Sequence, residues 1–223
     1  MTVKVEMQGE IALITMDDGK ANAVNPLLLD ALNTALDEAE AKAKAIVIAG
    51  RPGRFSAGFD LNILTGGSID DAIGLVKYGG RTALRMYGSD KPIVAACPGH
   101  AIAMGSFFLL STDYRIGTPG AFKIGANESA IGMVIPEFAA ELLMERIARP
   151  YLTRAMVNGT LFGPDEAMAA GFLDELAAPE ELIDKALSQA TLLSQLTPVG
   201  FAGNKQLMRA GLIAKCKPGV QPS

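Results

Sequence analysis

Apolar and polar positions alternate over Val3–Met7 and again over Ile11–Met16, with "QGE" between them. A period of two broken by a short polar turn predicts a β-hairpin. After the loop "DDGKANAVN", the period changes: Leu28, Leu32, Ala35, Leu36 and Ala39 recur at helical spacing from Pro26 to Lys42. Asn25 suits the N-cap of that helix and Pro26 its first position. "KAIVIAG" then follows as a short, wholly apolar, β-branched run closed by glycine, the pattern of a strand buried on both faces.

The chain continues through "RPGRFSAGFDLNIL", a glycine-rich turn leading to a short apolar segment, and a helical region around Asp70 to Tyr87. A second buried strand, "PIVAAC", comes next, then the glycine turn "PGHAIAMG", the helix "SFFLLST" and the strand "DYRIG". Successive strand–turn–helix units predict an α/β fold with parallel pairing, in which ligands collect at the carboxyl ends of strands. Beyond Phe122 the pattern is helical: Ala139–Ala148, Pro150–Val157, Pro164–Ala170, Glu180–Leu196 and Pro198–Leu212. The tail "CKPGVQPS" has the composition of a frayed end.

With 223 residues, 49% hydrophobic and 20% charged, the chain suits one globular domain with a substantial core. The net charge of −4, with both signs interspersed, offers no basic stripe for nucleic acid. Cys97 and Cys216 form no CxxC pair, and His100 is the sole histidine, so a metal centre is not expected. Free thiols, no signal peptide and no long apolar run predict a cytoplasmic protein that does not enter the membrane.

Familiar catalytic motifs are missing, including GxGxxG, GxxxxGK[ST] and HExxH. "RFSAG" approaches GxSxG, but Arg54 stands where glycine is required, so Ser56 is a poor elbow nucleophile and suits a turn serine bonding its own backbone. What remains is a pair of glycine turns, "SAGFD" and "AIAMG". Backbone N–H groups at such turns, and at the first turn of a helix, lack intrahelical partners. Two of them facing one another can hold an oxyanion, and one such donor is worth about 3 kcal/mol of barrier. Taken singly, each turn is better read as glycine permitting close packing.

In sequence order, "AIVIAGRPGRFSAGFDL" and "PIVAACPGHAIAMGSFFLLSTDYRIGTPGAFKIGANESAIGMVIP" resemble the crotonase superfamily, the enoyl-CoA hydratases and isomerases. The resemblance extends from "GEIALITMDDGKANAVNPLLLDAL" to "GTLFGPDEAMAAGFLDEL". It implies a crotonase-like α/β fold of repeated β-β-α units, with residues 1–176 as core and residues 177–223 as a short C-terminal helical region, in the same domain or serving trimerisation. It implies an enzyme acting on an acyl-CoA thioester whose carbonyl is held by the N–H groups of Phe59 and Met104. Coenzyme A arrives with the substrate, and no separate cofactor is implied.

The family's hydratases use two glutamates. The first falls at Phe107, which is apolar, and Phe107→Glu would test whether restoring an acid there brings hydration. The second falls in "FKIGANESAIGMVIP" at Glu128, in a loop that looks two residues longer than usual. Burial among apolar neighbours would raise the Glu128 pKa into the range where a carboxyl both takes and gives a proton. One carboxylate favours double-bond isomerisation over hydration. Glu137 offers a displaced second carboxylate for a classical hydratase, and an acid at a helix N-terminus explains it equally well.

For CoA, the resemblance points to main-chain groups of Lys20, Ala21, Asn22 and Ala23 and of Ser56, Ala57, Gly58, Asp60, Leu61 and Gly105. Arg51, Arg54 or Lys20 would meet a phosphate as point charges. His100 lines the turn; the position that carries a nucleophilic serine in the related Clp-type peptidases is Ala103. A non-catalytic acyl-CoA-binding member and a hydrolase using Ser56 or Ser106 are the remaining readings. The resemblance further implies a homotrimer or hexamer.

Overall fold

The structure is a computed structural model describing residues 2–221. The alternating N-terminal segments form β1 (Val3–Gln8) and β2 (Ile11–Met16), paired antiparallel with Val3 opposite Met16. Helix α1 (Pro26–Lys42) begins where Asn25 Oδ1 accepts the Leu28 N–H at 2.9 Å. The chain then builds β3 (Ala45–Ala49), β4 (Gly53–Ser56), α2 (Leu61–Gly66) and α3 (Ile69–Gly88). Next come β5 (Ile93–Cys97), β6 (Gly99–Ile102) and α4 (Met104–Leu110), then β7 (Tyr114–Gly117), β8 (Ile124–Gly125) and a 3-10 turn at Glu128–Ile131. Helices α5 (Glu137–Arg146), α6 (Arg149–Met156) and α7 (Pro164–Ala170), the short strand β9 (Glu175–Leu176), α8 (Leu182–Ser194) and α9 (Pro198–Cys216) complete the order.

Six strands form one sheet in the order β1-β2-β3-β5-β7-β9, parallel apart from the first pair. A smaller parallel sheet has the order β4-β6-β8. Each strand of the large sheet from β3 to β7 therefore hands the chain to a strand of the small one, and the turns after β4 and β6 come to lie side by side. Residues alternate along β3: Ile46 and Ile48 face the main core with α1, while Ala45, Val47 and Ala49 face Leu182, Ala186 and Ala190 of α8. The large sheet is thus covered on both faces, as its apolar strands require.

Strands β4 and β6 lie inside segments whose sequence reads as glycine turns. "GRFS" and "GHAI" are four residues each and mix charge with apolar groups, so they carry too little alternation to announce a strand. The tail corrects a second expectation. Helix α9 runs to Cys216, a 3-10 turn follows at Pro218–Val220, and Val220 is buried with its carbonyl accepting from Arg81 Nη1 at 2.8 Å. Pro222 and Ser223 lie outside the described residues.

Helix α9 is tied to the sheet by one buried carboxylate. Asp113, just before β7, accepts from the Ile93 N–H, from Lys205 Nζ and from Arg209 Nη1, each at 2.8 Å. The side chains of this trio are at most 9% exposed. Arg209 also lies 4.3 Å over the Tyr87 ring, whose hydroxyl bonds Glu145. Helix α3 has one further peculiarity, two adjacent glycines at 79 and 80 in mid-helix, each costing about 1 kcal/mol against alanine in helix propensity.

Candidate active site

The turns after β4 and β6 are the two glycine turns singled out in the sequence. The first is pinned to the loop after β2. Val24 N–H donates to Gly58 O at 2.7 Å and Asp60 N–H to Val24 O at 2.9 Å, which brackets Phe59. Ser56, fully buried, donates its hydroxyl to Asn22 O at 2.7 Å and accepts the Gly58 N–H at 3.2 Å. Asn22, equally buried, spends its carboxamide on Met16 O, Phe55 O and the Asp18 N–H. The first turn is therefore rigid before any ligand arrives.

The second turn is held as firmly. Ala103 adopts φ 49° and ψ −121°, a conformation that costs an L-residue about 1–3 kcal/mol. Its N–H donates to Gly125 O at 2.9 Å, and its carbonyl accepts from the N–H groups of Ser106 and Phe107. That sharp bend starts α4 and leaves Met104 at its first position. Gly58, at φ +90°, meets this turn so closely that a Cβ on it would lie 2.8 Å from Ile102 O and 3.4 Å from Met104 N. The two turns thus face each other across a glycine, and among the described residues neither the Phe59 nor the Met104 N–H donates to an acceptor.

Both turns border a narrow cleft of about 100 Å³, partly open to solvent. Ala57 and Phe59 line it from the first turn and Ile102 and Ala103 from the second. Leu61, Leu64 and Val76 of α2 and α3 form one apolar wall, and Ile131, Met133 and Pro136 form the other. Its polar side chains are those of Asn127 and Glu128.

Glu128 begins the 3-10 turn and is 6% exposed. Its Oε2 is buried with no hydrogen-bond partner among the described residues. Burial pushes its pKa above the ordinary carboxylate value, opposed only in part by its own backbone N–H. A carboxyl raised this way, in an apolar cleft bordered by both turns, can remove a proton next to a carbonyl.

The structure places the other sequence candidates as follows. Phe107 is 1% exposed in the core, its ring packed edge-on to Phe138 at 6.1 Å and outside the cleft lining. A glutamate there would have to break core packing before it reached substrate. Glu137 is exposed at the start of α5 and does not line the cleft. Ser106 is buried and donates to Ala103 O at 2.8 Å, so neither it nor Ser56 is presented as a nucleophile.

His100 accepts the Lys123 N–H on Nδ1 at 3.0 Å and stacks edge-on to Phe122; burial first, then Arg54 and Lys123, lowers its pKa. Ala57 N–H donates to Ala21 O at 3.0 Å, and Arg51 Nη1 to Lys20 O at 2.7 Å, which makes one surface of Lys20–Ala23 and the first turn. Asp60 caps α2 through the Asn62 N–H, Leu61 is 55% exposed at the cleft edge, and Gly105 packs on Ser56. Asn127 and the wall from Ile131 to Pro136 were not singled out by sequence reasoning. Asn127 precedes Glu128, and proximity to a candidate acid is the signal that could have found it.

The chain matches the family model described as enoyl-CoA hydratase/isomerase over residues 6–218. It is 32% identical to the mitochondrial enoyl-CoA delta isomerase 1 of Rattus norvegicus over 83% of this chain and 66% of the rat protein, and so spans about two thirds of that relative's length. It is 29% identical to the carnitinyl-CoA dehydratase of Salmonella agona, over 91% of this chain and 78% of that protein.

Among solved structures, one Mycobacterium tuberculosis protein is described once as an enoyl-CoA isomerase and once as a probable enoyl-CoA hydratase. It superposes with TM-scores of 0.94 and 0.95 at 40% identity; the alignments cover 98% and 99% of this chain and 96% and 93% of the mycobacterial chains. The human mitochondrial delta3-delta2-enoyl-CoA isomerase superposes with a TM-score of 0.94 at 27% identity, over 99% of this chain and 90% of the human chain. Sequence, fold and site geometry converge: the chain belongs to the enoyl-CoA hydratase/isomerase family of enzymes, within the crotonase superfamily.

Proposed function

We propose that the protein moves the double bond of an enoyl-CoA thioester from the 3 to the 2 position, with Glu128 as the single acid/base. The observation that carries this reading is one buried carboxyl with an unpartnered oxygen, in a cleft whose other polar side chain is an amide. The thioester oxygen sits between the N–H groups of Phe59 and Met104. Glu128 takes a proton from C2, the electron pair delocalises into a dienolate bound by those two donors, and the same carboxyl returns the proton at C4. No water is consumed, and no second acid is needed.

The acyl chain lies along the apolar walls from Leu61 to Val76 and from Ile131 to Pro136. The CoA portion rests on the surface of Lys20, Ala21, Ala23, Ala57, Asp60 and Leu61, which the buried Asn22, Ser56, Gly58 and Gly105 support from beneath, and no cofactor beyond the substrate's own CoA takes part. The rat and human relatives, both described as isomerases, support this reading. A hydratase or dehydratase reading is favoured by the carnitinyl-CoA dehydratase relative. The test is to supply 2-enoyl-CoA and 3-enoyl-CoA of several chain lengths and follow the two reactions separately. Isomerisation without hydration is the expected result, and hydration outpacing isomerisation rejects the proposal.

The same proposal includes a homotrimer. Leu192, Leu196, Val199, Leu207 and Met208 leave an apolar surface on α8, α9 and the turn between them that is at least half exposed at every position and that self-association would cover. Light scattering on the purified protein separates trimer, hexamer and monomer. The two cysteines, free and buried, fit a reducing compartment such as the cytoplasm. Among the described residues no helix is long and apolar enough to cross a membrane.

A further inference from the structure

We infer that Gly79 of α3 is a positioning residue for the pair of N–H donors, because it is the surface on which the side chains of both Phe59 and Met104 rest. A Cβ at Gly79 would lie 2.7 Å from Cε1 and from Cζ of Phe59 and 3.4 Å from Cε of Met104. The first separation is too short for any carbon pair to accept. The second is ordinary contact with the flexible end of a methionine. The missing side chain at Gly79 therefore leaves the room that the Phe59 ring occupies.

The consequence falls on Phe59 rather than on Met104. The Phe59 backbone is hydrogen-bonded to Val24 on both sides, Val24 N–H to Gly58 O at 2.7 Å and Asp60 N–H to Val24 O at 2.9 Å, so the ring must either swing about its side-chain torsions into the cleft it lines or carry the turn with it. Val76, one helical turn before Gly79, lines the cleft itself, so the glycine lies on the cleft-facing side of α3. The neighbouring Gly80 does a different job. Its hypothetical Cβ would meet Val220 and Phe138, away from the donors. That difference makes Gly80 a control for mere crowding of α3.

The inference rests on the functional reading above, in that the two N–H groups must bind the thioester oxygen. Gly79→Ala is expected to lower kcat for 3-enoyl-CoA isomerisation by about tenfold or more, short of the 10²–10³ that complete loss of one such donor costs, with KM nearly unchanged. Adding Phe59→Leu, which removes Cε1 and Cζ but keeps the backbone N–H, is expected to restore most of kcat. Gly80→Ala is expected to lower the melting temperature without that pattern of loss and rescue.

Unchanged kcat in Gly79→Ala, or an equal loss in the single and double variants, overturns the inference. Should Gly79→Ala fail to fold, a folded and active double variant supports the contact, and an unfolded one overturns it. If the wild-type protein turns over no enoyl-CoA, the functional reading fails by itself. The positioning claim is then read from crystals of Gly79→Ala, where a changed separation between the Phe59 and Met104 nitrogens supports it and an unchanged one overturns it.

Discussion

Two buried carboxylates in this chain have opposite surroundings. Asp113 is met by a lysine, an arginine and a backbone N–H, every one at 2.8 Å. Glu128 is as deeply buried and leaves Oε2 with no partner among the described residues. Burial of a charge is costly unless partners replace the lost water, so Asp113 is a carboxylate whose cost has been met by structure. The Glu128 cost stands, and its raised pKa expresses it. The difference separates a group that holds α9 in place from one left free to exchange a proton.

The contrast can be broken from either side. The largest effect is expected for Glu128→Gln, which should lower turnover of 3-enoyl-CoA by about 10³-fold or more, the upper part of what a positioned acid/base contributes. Acyl-CoA binding, followed by calorimetry, should persist. Asp113→Ala should do the reverse in kind: it strands Lys205 and Arg209 and costs about 3–5 kcal/mol of stability, read from urea unfolding. Phe107→Glu should cost about 3 kcal/mol, as a carboxyl forced among Phe138 and the α4 core does. It should bring no hydration, because the side chain at that position does not reach the cleft.

The smallest effect sharpens the comparison through pH. The folded pKa of Glu128 is raised, so its contribution to stability is fully present below the ordinary carboxylate pKa and is lost as pH rises through the folded value. Glutamine does not titrate. Relative to wild type, Glu128→Gln should therefore become more stable as pH rises across that window and hold the gain at neutral pH. Urea midpoints measured between about pH 4 and pH 8 report it. A constant difference between the two proteins would mean that Glu128 does not titrate abnormally.

Much of this arrangement is legible in the sequence because it depends on local pattern. The hairpin, α1 with its Asn25 cap and the two wholly apolar strands β3 and β5 each announce themselves through period and punctuation. Strands β4 and β6 do not, since four mixed residues carry no period. Their pairing is created by the fold and then places Phe59 beside Met104. The resemblance to known enzymes named those two residues and Glu128.

Contacts between distant segments were beyond what either approach could reach. That Val220 packs under α3, that Asp113 holds Lys205 and Arg209, and that Gly79 receives the Phe59 ring are facts of tertiary structure. The position of Phe107 makes the same point. Its place in the sequence suggests a vacant catalytic post, whereas its ring is part of the core.

The central claim is that one carboxyl, shielded from solvent, carries a proton from C2 to C4. It is tested most directly with a 3-enoyl-CoA deuterated at C2 and converted in ordinary water. The account predicts a 2-enoyl product in which a substantial share of the label has moved to C4, with no 3-hydroxyacyl product. Label lost wholly to solvent, together with water added at C3, would contradict it.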